Sequence, residues 1–433
     1  MKETGLVWFR NDLRVDDNTS LYKATTDNDR VIGVFCFDPR LFKKNEFGFR
    51  KTEKFRAKFL IESIIDLKEN LASRNIPLLV FGKKPESVIP KLVDEYAVNA
   101  IYTQEEWTTE ETIVSEAVKS SIKGLGSKWI TSYDQFLFHP EDIPFDILET
   151  PKVFTVFRKQ CERYVSVRNL VETLSMAPDN LIENDTHIPS IEDLGFEFFE
   201  QDARSAFPFL GGERCALKRI QSYFWETHKL SYYKKTRNGL IGTDYSSKLS
   251  AWLANGTISA RTIYHQVLEY EEKIQKNQST YWLVFELIWR DFFKYISLKH
   301  GNDLFKRQGI LHKYYSWSQN RELIQQWIEG ETKEPFVNAN MIELAQTGWM
   351  SNRGRQNVAS YFAKELQLDW RIGAAYFESM LIDYDVHSNY GNWQYVAGVG
   401  NDPRDRKFNI KLQSERYDPQ QKFQNLWLQP TLF

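Results

Sequence analysis

The sequence predicts two unlike domains, an α/β domain with a doubly wound parallel sheet and an all-helical domain after it. Strand-like and helical patterns alternate in the first third of the chain, whereas helical periodicity dominates from Arg214 onward. A chain of 433 residues is also too long for one hydrophobic core. We therefore predict an α/β domain over 1–133, an interdomain linker over 134–213 and an all-helical domain over 214–433.

Five short runs rich in β-branched and aromatic residues are the predicted strands of the first domain. They are Leu6–Phe9, Val31–Phe37, Pro77–Phe81, Ala100–Thr103 and Lys128–Ser132. Helical patterns lie between them, and this alternation predicts a parallel sheet with helices on both faces. No G-x-G-x-x-G follows the first run, so the usual dinucleotide cradle is missing and the main cofactor is expected elsewhere.

The predicted linker is rich in proline and acidic residues. One short helical pattern, Val153–Tyr164, interrupts it, and we expect the remainder to wrap over the surface.

Composition limits the function classes. The net charge of -2 and the pI near 6.4 exclude a globally basic nucleic-acid binder, so a nucleic-acid site must be a local patch. The three cysteines, Cys36, Cys161 and Cys215, lack zinc-binding spacing. The N-terminus lacks a cationic leader, and no apolar stretch reaches membrane-spanning length. We expect a cytoplasmic protein, and a monomer.

The stretch from Thr347 to Arg404 concentrates amide, guanidinium and carboxylate groups among tryptophans. If 351–366 is a helix, one face carries Asn352, Arg355, Gln356, Ala359 and Ala363. Asp383 and Asp385 follow an apolar segment, so we place them where a helix gives way to a loop. A buried carboxylate needs a partner, and Arg355 is the natural one. A polar helix face of this kind suits a large, flat, partly polar ligand.

The strings TGWMSNRGRQ, LDWRIGAAYFE and DYDVHSNYGNWQY in this stretch resemble the flavin-binding core of the photolyase and cryptochrome family. NRGRQ and NWQY are most similar to its DASH branch. Gln356 and Tyr395 stand where bacterial dimer photolyases carry Met and Trp, so the cavity shape and duplex affinity are expected to differ. The resemblance implies that the helical domain binds FAD.

The resemblance also implies a set of FAD ligands. Arg355 would pair with Asp383 near the flavin ring, Asp385 would also bind FAD, and Asn389 would face the ring nitrogen that gains a proton on reduction. The clustered hydroxyls before AWLANG match the family's diphosphate loop, although such a turn more often only caps a helix. The implied cofactor-binding residues are Tyr233, Ser246, Ser247, Lys248, Leu249, Ser250, Glu286, Arg290, Asn352, Arg355, Asp383, Asp385 and Asn389.

The implied reaction is light-driven repair of a cyclobutane pyrimidine dimer by reduced FAD. Glu286 would bond the dimer, Trp289 would stack on it, and Arg290 would turn to the flavin. An exposed Glu286–Arg290 ion pair is the simpler reading of that spacing. The catalytic residues implied are Glu286, Trp289, Asn352, Gln356, Tyr395 and Asn389.

The family's tryptophan relay corresponds to Trp393, Trp370 and Trp317, which would carry an electron from the surface to the photoexcited flavin. The implied DNA-binding residues are Arg237, Arg353 and Arg404, with Lys234, Lys235, Arg406 and Lys407 as further candidates. Binding through such charges is salt-dependent and sequence-independent. We expect the DNA partner to be single-stranded or locally opened, because extruding the dimer costs least there.

WFRNDLRVDDN and FCFDPR resemble the family's N-terminal domain, in which a second chromophore, often a reduced folate, lies against the flavin domain. Glu110 is the candidate carboxylate for such an antenna, here methenyltetrahydrofolate. It reads equally well as a solvated glutamate at a helix start.

Two other functions stay open at this stage. One is a blue-light photoreceptor that binds FAD and nucleic acid without efficient repair; the short distance from the core to Phe433 leaves no long signalling tail. The other is a metal-dependent phosphoesterase built on Asp383, Asp385 and His387.

Overall fold

Five parallel strands form the sheet of the N-terminal domain. The computed structural model, which describes residues 3–402 and 404–429, places them in the order β3-β2-β1-β4-β5. The strands are β1 (Thr4–Trp8), β2 (Arg30–Cys36), β3 (Leu78–Phe81), β4 (Ala100–Gln104) and β5 (Lys128–Ser132). The chain winds outward from β1 in both directions, so the predicted doubly wound α/β domain is confirmed.

Four helices cover the two faces of this sheet: α1 (Thr19–Asp27), α2 (Lys54–Ala72), α3 (Pro85–Glu95) and α4 (Thr109–Ser121). Alternate residues of β1 point to opposite faces. Val7 packs in one core with Leu21 of α1 and Leu67 of α2, whereas Leu6 packs in another with Leu92 of α3 and with α4. Both faces are therefore buried, as a parallel sheet requires.

Helices are the regular structure of the described residues after the sheet. The helices are α5 (Phe154–Tyr164), α6 (Glu213–Ile220), α7 (Tyr233–Thr236), α8 (Ser250–Ala254), α9 (Ala260–Lys273), α10 (Gln278–His300), α11 (Arg321–Glu329), α12 (Pro335–Thr347), α13 (Asn352–Ser360), α14 (Trp370–Met380), α15 (Val386–Ala397), α16 (Ile410–Tyr417) and α17 (Lys422–Leu428). Asn277 caps α10 through a capping box, which explains where this longest helix begins. The predicted helical domain is thus confirmed as a fold class, while the residue bounds of the domains stay a prediction.

The segment between β5 and α6 is only partly a surface linker. Phe136, Leu137 and Phe138 are buried in the core that also contains α10, and the Leu137 and Phe138 amides donate to Asp291. On the other side, Asn180 bonds the backbone of Val31 in β2. The expectation of a linker that wraps over the surface is wrong for 136–138, because the proline-rich composition hid three consecutive apolar residues.

The helix predicted over 351–366 ends earlier than expected. Its α-helical part is α13, and residues Tyr361–Glu365 form a π-helical turn. A π turn inserts one extra residue, so Ala363 does not continue the face that carries Asn352, Arg355, Gln356 and Ala359. The widened turn seats Phe362 beside Trp327, with ring centroids 4.6 Å apart.

Buried charges join the helical region to the sheet domain. Arg261 of α9 lies 2.8 Å from Asp17 and 3.0 Å from Asp134, and all three side chains are almost fully buried. Gly256 sits at φ +71° directly against Asn11, where a Cβ would lie 1.9 Å from the Asn11 carbonyl oxygen. Only glycine allows this approach, so the two parts pack closely beside the candidate site.

Candidate functional site

An arginine–aspartate pair forms the centre of the candidate site. Arg355 on α13 donates to both carboxylate oxygens of Asp383 at 2.8 and 2.9 Å, and its Nε donates to the Met350 carbonyl. Asp383 follows α14 and also accepts a hydrogen bond from Ser250 Oγ at 2.7 Å. The predicted pair is confirmed, and it connects α13, α8 and the loop before α15.

A buried lysine without a hydrogen-bond partner lies next to this pair. The Lys248 ammonium is 2% exposed, and its Nζ makes no hydrogen bond within the described residues. It faces the Tyr245 ring at 3.3 Å and the Trp349 ring at 4.7 Å. Burial lowers the pKa of Lys248, whereas Glu343 and Asp383 act in the opposite direction. A buried cation left without an acceptor fits an anionic ligand such as a diphosphate.

Glu343 of α12 is the buried carboxyl group opposite Lys248. Burial raises the pKa of Glu343 to about 8, against the charges of Lys248 and Arg355, and its Oε2 has no hydrogen-bond partner among the described residues. Sequence reasoning missed Glu343 because a lone glutamate in a helix looks like a surface residue.

The pH dependence of stability offers a test of this carboxyl group. The pKa of Glu343 is raised on folding. At pH values between the ordinary pKa of a glutamate and about 8, the folded state therefore binds more protons than the unfolded state. Glu343 should therefore lower the free energy of unfolding by about 1.4 kcal/mol per pH unit as the pH rises through that range. Glu343→Gln should remove this slope in urea titrations between pH 5 and 8, and an unchanged slope would contradict the assignment.

The loop that precedes α8 is organised by Arg219 of α6. Its guanidinium group donates to the carbonyls of Thr243, Ser246 and Ser247. Helix α8 has only five residues, so its dipole adds little to an anion site. The predicted diphosphate loop therefore depends on the hydroxyls of 246–250 and on Lys248, and Arg219 is a further residue that the sequence did not reveal.

Asp385 has a different partner from the one that the sequence suggested. It caps α15 by accepting from the Ser388 amide, and its Oδ2 lies 3.0 Å from Lys294 Nζ, which is buried on α10. Burial alone would raise the pKa of Asp385, but Lys294 and other nearby cationic groups lower it below its ordinary value. Asp385 is therefore an ionised, paired carboxylate, and its Lys294 partner was missed because it lies about ninety residues away in sequence.

Two of the predicted ligands bond the protein backbone. Arg290 donates to the carbonyls of Gln135 and Leu253, and its predicted orientation toward the flavin stays a prediction. The Asn389 amide donates to the Ala374 carbonyl at 3.0 Å. That bond orients the Asn389 side chain, which is 8% exposed.

A second group of side chains surrounds Glu286 on α10. Its carboxylate lies 2.8 Å from Arg237, so its ion-pair partner is Arg237 and not Arg290, while the role of Arg237 in DNA binding stays a prediction. Burial raises the pKa of Glu286, and Arg237 opposes this shift. Tyr233, buried at the start of α7, lies close enough for both charges to act on its hydroxyl group.

Trp289 lies one helical turn from Glu286 and is stacked on another residue of the chain. Phe154 of α5 covers one indole face with ring centroids 3.6 Å apart and planes at 8°. Tyr395 of α15 meets Trp289 edge-on at 6.3 Å. Phe293, one turn further along α10, also stacks near this indole, with ring centroids 5.6 Å apart. Phe154 was missed because it belongs to the predicted linker.

The predicted DNA-binding residues divide into engaged and exposed groups. Arg353 donates to Gln356 and Asn238 and lies 4.5 Å from the centre of the Tyr417 ring. Arg404 and Asn352 are exposed. Further basic residues near these positions pair with neighbours: Lys234 with Gln278, Arg406 with Asp402 and Lys407 with Glu365; Lys235 is exposed.

The three tryptophans of the predicted relay share one hydrophobic core. Trp393 packs so closely on α14 that a Cβ at Gly373 would lie 2.2 Å from its ring, and Trp370 lies one turn earlier on that helix. Arg307 joins the other two, since its carbonyl accepts from Trp370 Nε1 and its guanidinium donates to the Trp317 carbonyl. Trp317 is 8% exposed, and its role as the surface end of the relay stays a prediction.

Glu110 lies where the two domains meet. It pairs with Lys51, and its charge acts on the half-buried residues Glu378 and Tyr390 of the helical region. Burial raises the pKa of Glu378 to about 7.

Comparisons with known proteins decide the family. Residues 5–177 match the family model described as DNA photolyase, and residues 282–432 match the FAD binding domain of DNA photolyase. Cryptochrome DASH of Gloeobacter violaceus is 47% identical over 98% of this chain and 85% of its own length. The chain belongs to the photolyase and cryptochrome family. Within this family it is similar to cryptochrome DASH proteins, and its helical region contains the FAD-binding domain.

Two further relatives agree. The crystal structure of a Synechocystis cryptochrome superposes with a TM-score of 0.94 at 45% identity, covering 98% of this chain and 88% of that one. The cryptochrome DASH of Arabidopsis thaliana, named chloroplastic/mitochondrial, is 43% identical over 99% of this chain and 76% of its own length. The cytoplasmic location stays a prediction.

The phosphoesterase alternative is not supported. Asp383 bonds Arg355, Asp385 bonds Lys294, and His387 bonds Ser297 at 2.9 Å. Within residues 3–402 and 404–429, no three His, Cys, Asp or Glu side chains form a group that could hold a metal ion. No helix in the same part of the chain is long and apolar enough to cross a membrane.

Proposed function

We propose that this flavoprotein repairs cyclobutane pyrimidine dimers in DNA when illuminated with blue light, as a deoxyribodipyrimidine photolyase of DASH type. The observation that carries the proposal is the group around Glu286. A carboxyl group with a raised pKa lies one helical turn from Trp289, Phe154 covers one face of that indole, and Tyr395 meets the same ring edge-on. A raised pKa favours uptake of a proton, a protonated carboxyl group can donate a hydrogen bond to a pyrimidine carbonyl, and the indole can stack on the base.

The residues of this chain would bind and orient both ligands. Reduced FAD, when bound, supplies the electron that opens the dimer under light. The cofactor would be held by Arg355, Asp383 and the 246–250 loop. The Lys248 ammonium would pair with the negatively charged diphosphate. The Asn389 amide nitrogen donates to the Ala374 carbonyl, which fixes the orientation of the side chain. Its amide oxygen is then available to accept a hydrogen bond from a flavin N–H group.

We extend the proposal to a preference for single-stranded or locally opened DNA. A dimer must leave the base stack to reach Trp289, which costs a few kcal/mol in a duplex and less in a single strand. Arg237 and Arg353, which were expected to neutralise phosphates, are already bonded to Glu286 and Gln356. With fewer free cationic side chains to bind phosphates, the protein gains less binding energy to offset duplex opening. Substrates that need no opening are therefore favoured.

We further propose that a reduced folate antenna occupies the contact between the domains. Lys51, Glu110, Glu378 and Tyr390 supply both hydrogen-bond donors and acceptors there. This mixture suits the polar edge of a pterin ring.

A repair assay tests the main proposal. The flavin-loaded protein, reduced and illuminated, should remove dimers from single-stranded oligonucleotides faster than from duplexes. Glu286→Ala should reduce the repair yield per photon roughly tenfold or more, because a buried hydrogen-bond donor to the reacting group is lost. Glu286→Gln should retain more activity than Glu286→Ala, since its amide still donates.

The matched control is Glu269→Gln, which removes an exposed Glu–Lys pair on α9. It should leave the repair yield unchanged. Parent protein that binds and photoreduces flavin but leaves dimers intact in both substrates would replace this proposal by the photoreceptor alternative.

A further inference from the structure

A tyrosine covers the outermost tryptophan of the predicted relay. The Tyr315 and Trp317 rings have centroids 5.1 Å apart and planes inclined by 31°. Trp317 is 8% exposed, whereas Tyr315 is partly exposed. The Trp317 amide donates to the Tyr315 carbonyl at 3.1 Å, so a tight turn fixes the two rings relative to each other. An oxidised Trp317 is therefore separated from solvent by the Tyr315 ring.

The phenol of Tyr315 has a proton acceptor in direct contact. Its hydroxyl donates to Asp405 Oδ2 at 3.0 Å, and Lys364 Nζ donates to Asp405 Oδ1. The Lys364 ammonium also lies 5.1 Å from the centre of the Tyr315 ring. Burial tends to raise the pKa of Asp405, but the hydrogen bonds from Lys364 and Tyr315 bring it below the ordinary value, so the carboxylate is ionised at neutral pH.

The backbone around Asp405 is shaped for this contact. Asp405 adopts φ +46°, in the left-handed region that is uncommon for residues other than glycine. Gly398, at the end of α15 with φ +84°, leaves the space that the pair uses, because a Cβ there would lie 1.9 Å from Asp405 Oδ1 and 2.7 Å from Lys364 Nζ. The left-handed backbone at Asp405 and the absence of a side chain at Gly398 thus allow the Asp405 carboxylate to contact the Tyr315 hydroxyl.

We propose that Tyr315 is the last internal electron donor of the relay, and that it passes its proton to Asp405 when Trp317 oxidises it. The proposal rests on the proposed function as a flavoprotein and on the tryptophan relay that the family resemblance implies. The Tyr315 O–H bond breaks, one electron restores the Trp317 radical cation to neutral Trp317, and the proton moves along the existing hydrogen bond to the Asp405 carboxylate. The oxidant is photoexcited, oxidised flavin acting through the tryptophans, and an external thiol later reduces the neutral tyrosyl radical.

This pairing has a functional advantage over a tryptophan at the end of the relay. Oxidation of a phenol makes its proton strongly acidic, so a carboxylate in contact takes it without diffusion of solvent base. The charge separated from the flavin then ends as a neutral radical next to a neutral acid. Recombination requires the proton to return, which prolongs the reduced state of the cofactor.

Flash spectroscopy of the flavin-loaded full chain tests the proposal. After a blue flash, electron paramagnetic resonance and absorption near the tyrosyl band should show a tyrosyl radical in the parent. Tyr315→Phe should lack this signal and show a tryptophan radical that recombines faster. Asp405→Asn keeps the phenol but removes the carboxylate acceptor, so the phenolic proton must pass to water and tyrosyl formation should be slower than in the parent.

The neighbouring Tyr314 provides a matched control, because it is 85% exposed and lies one position from the proposed donor. Tyr314→Phe should retain the parent's tyrosyl signal. A tyrosyl signal of parent strength in Tyr315→Phe, or its loss in Tyr314→Phe, would overturn the proposal. Circular dichroism and flavin content confirm that each variant is folded and loaded.

Trp393→Phe separates this inference from the proposed function. If that variant still forms tryptophan and tyrosyl radicals, the relay itself is wrong. If it abolishes both radicals while Tyr315→Phe behaves as the parent does, the relay stands and only the role of Tyr315 fails.

Discussion

Asp383→Ala is expected to purify as a nearly colourless protein. The change removes the carboxylate that accepts from Arg355 and from Ser250, so a largely buried guanidinium loses its partner. Losing a charged hydrogen-bonding group from the cofactor site costs about 3 kcal/mol of binding free energy, which corresponds to a loss of flavin affinity of roughly a hundredfold. The ratio of absorbance at 450 nm to that at 280 nm after purification, followed by titration with FAD, measures the effect.

Two comparisons separate flavin binding from folding. Asp202→Ala breaks another arginine–aspartate pair, Arg204–Asp202, outside the candidate site and should leave the flavin content unchanged. The double variant Arg355→Leu/Asp383→Leu replaces both charges, so it should recover stability in urea titrations without recovering flavin. Yellow protein in Asp383→Ala would refute the assignment of this pair to the cofactor site.

Trp393→Phe is expected to abolish photoreduction of the bound flavin. A phenyl ring is much harder to oxidise than an indole, so the first step of the relay would be blocked while the shape of the core is largely kept. Blue-light bleaching at 450 nm in the presence of a thiol should fall to the level of free flavin background. Dimer repair by chemically reduced protein should continue, because that reaction does not use the relay.

Trp327→Phe is the matched control for this experiment. Trp327 is fully buried, and its ring lies 6.2 Å from that of Trp393, so the two substitutions disturb the same core. It is not among the relay residues that the family motifs imply. Photoreduction should therefore survive in Trp327→Phe, and equal losses in both variants would indicate a packing effect instead of a blocked relay.

The fold was predictable because its signals are local. Runs such as Val31–Phe37 carry strand propensity in consecutive residues, and β2 begins and ends within one residue of that run. The Arg355–Asp383 pair was also predictable, since a carboxylate directly after an apolar segment needs a cation and the neighbouring helix offered one. The long motifs placed both residues in a known family.

The contacts that sequence reasoning missed are long-range. Lys294 meets Asp385 across ninety-one residues, and the Phe154 ring reaches Trp289 from a segment whose composition suggested a linker. Arg237 and Glu286 lie on different helices, so their spacing in sequence carries no signal. The π turn at 361–365 likewise depends on the packing of Phe362.

The stack of Phe154 on Trp289 affects how the family can be engineered. Helix α5 precedes the FAD-binding helices in the chain, yet its first residue, Phe154, stacks on Trp289 of that region. A chimera that takes the helical half from one relative and everything before α6 from another would place an unmatched side chain against Trp289. Such hybrids should still bind flavin but differ in their specificity for DNA lesions, unless the crossover is made upstream of α5.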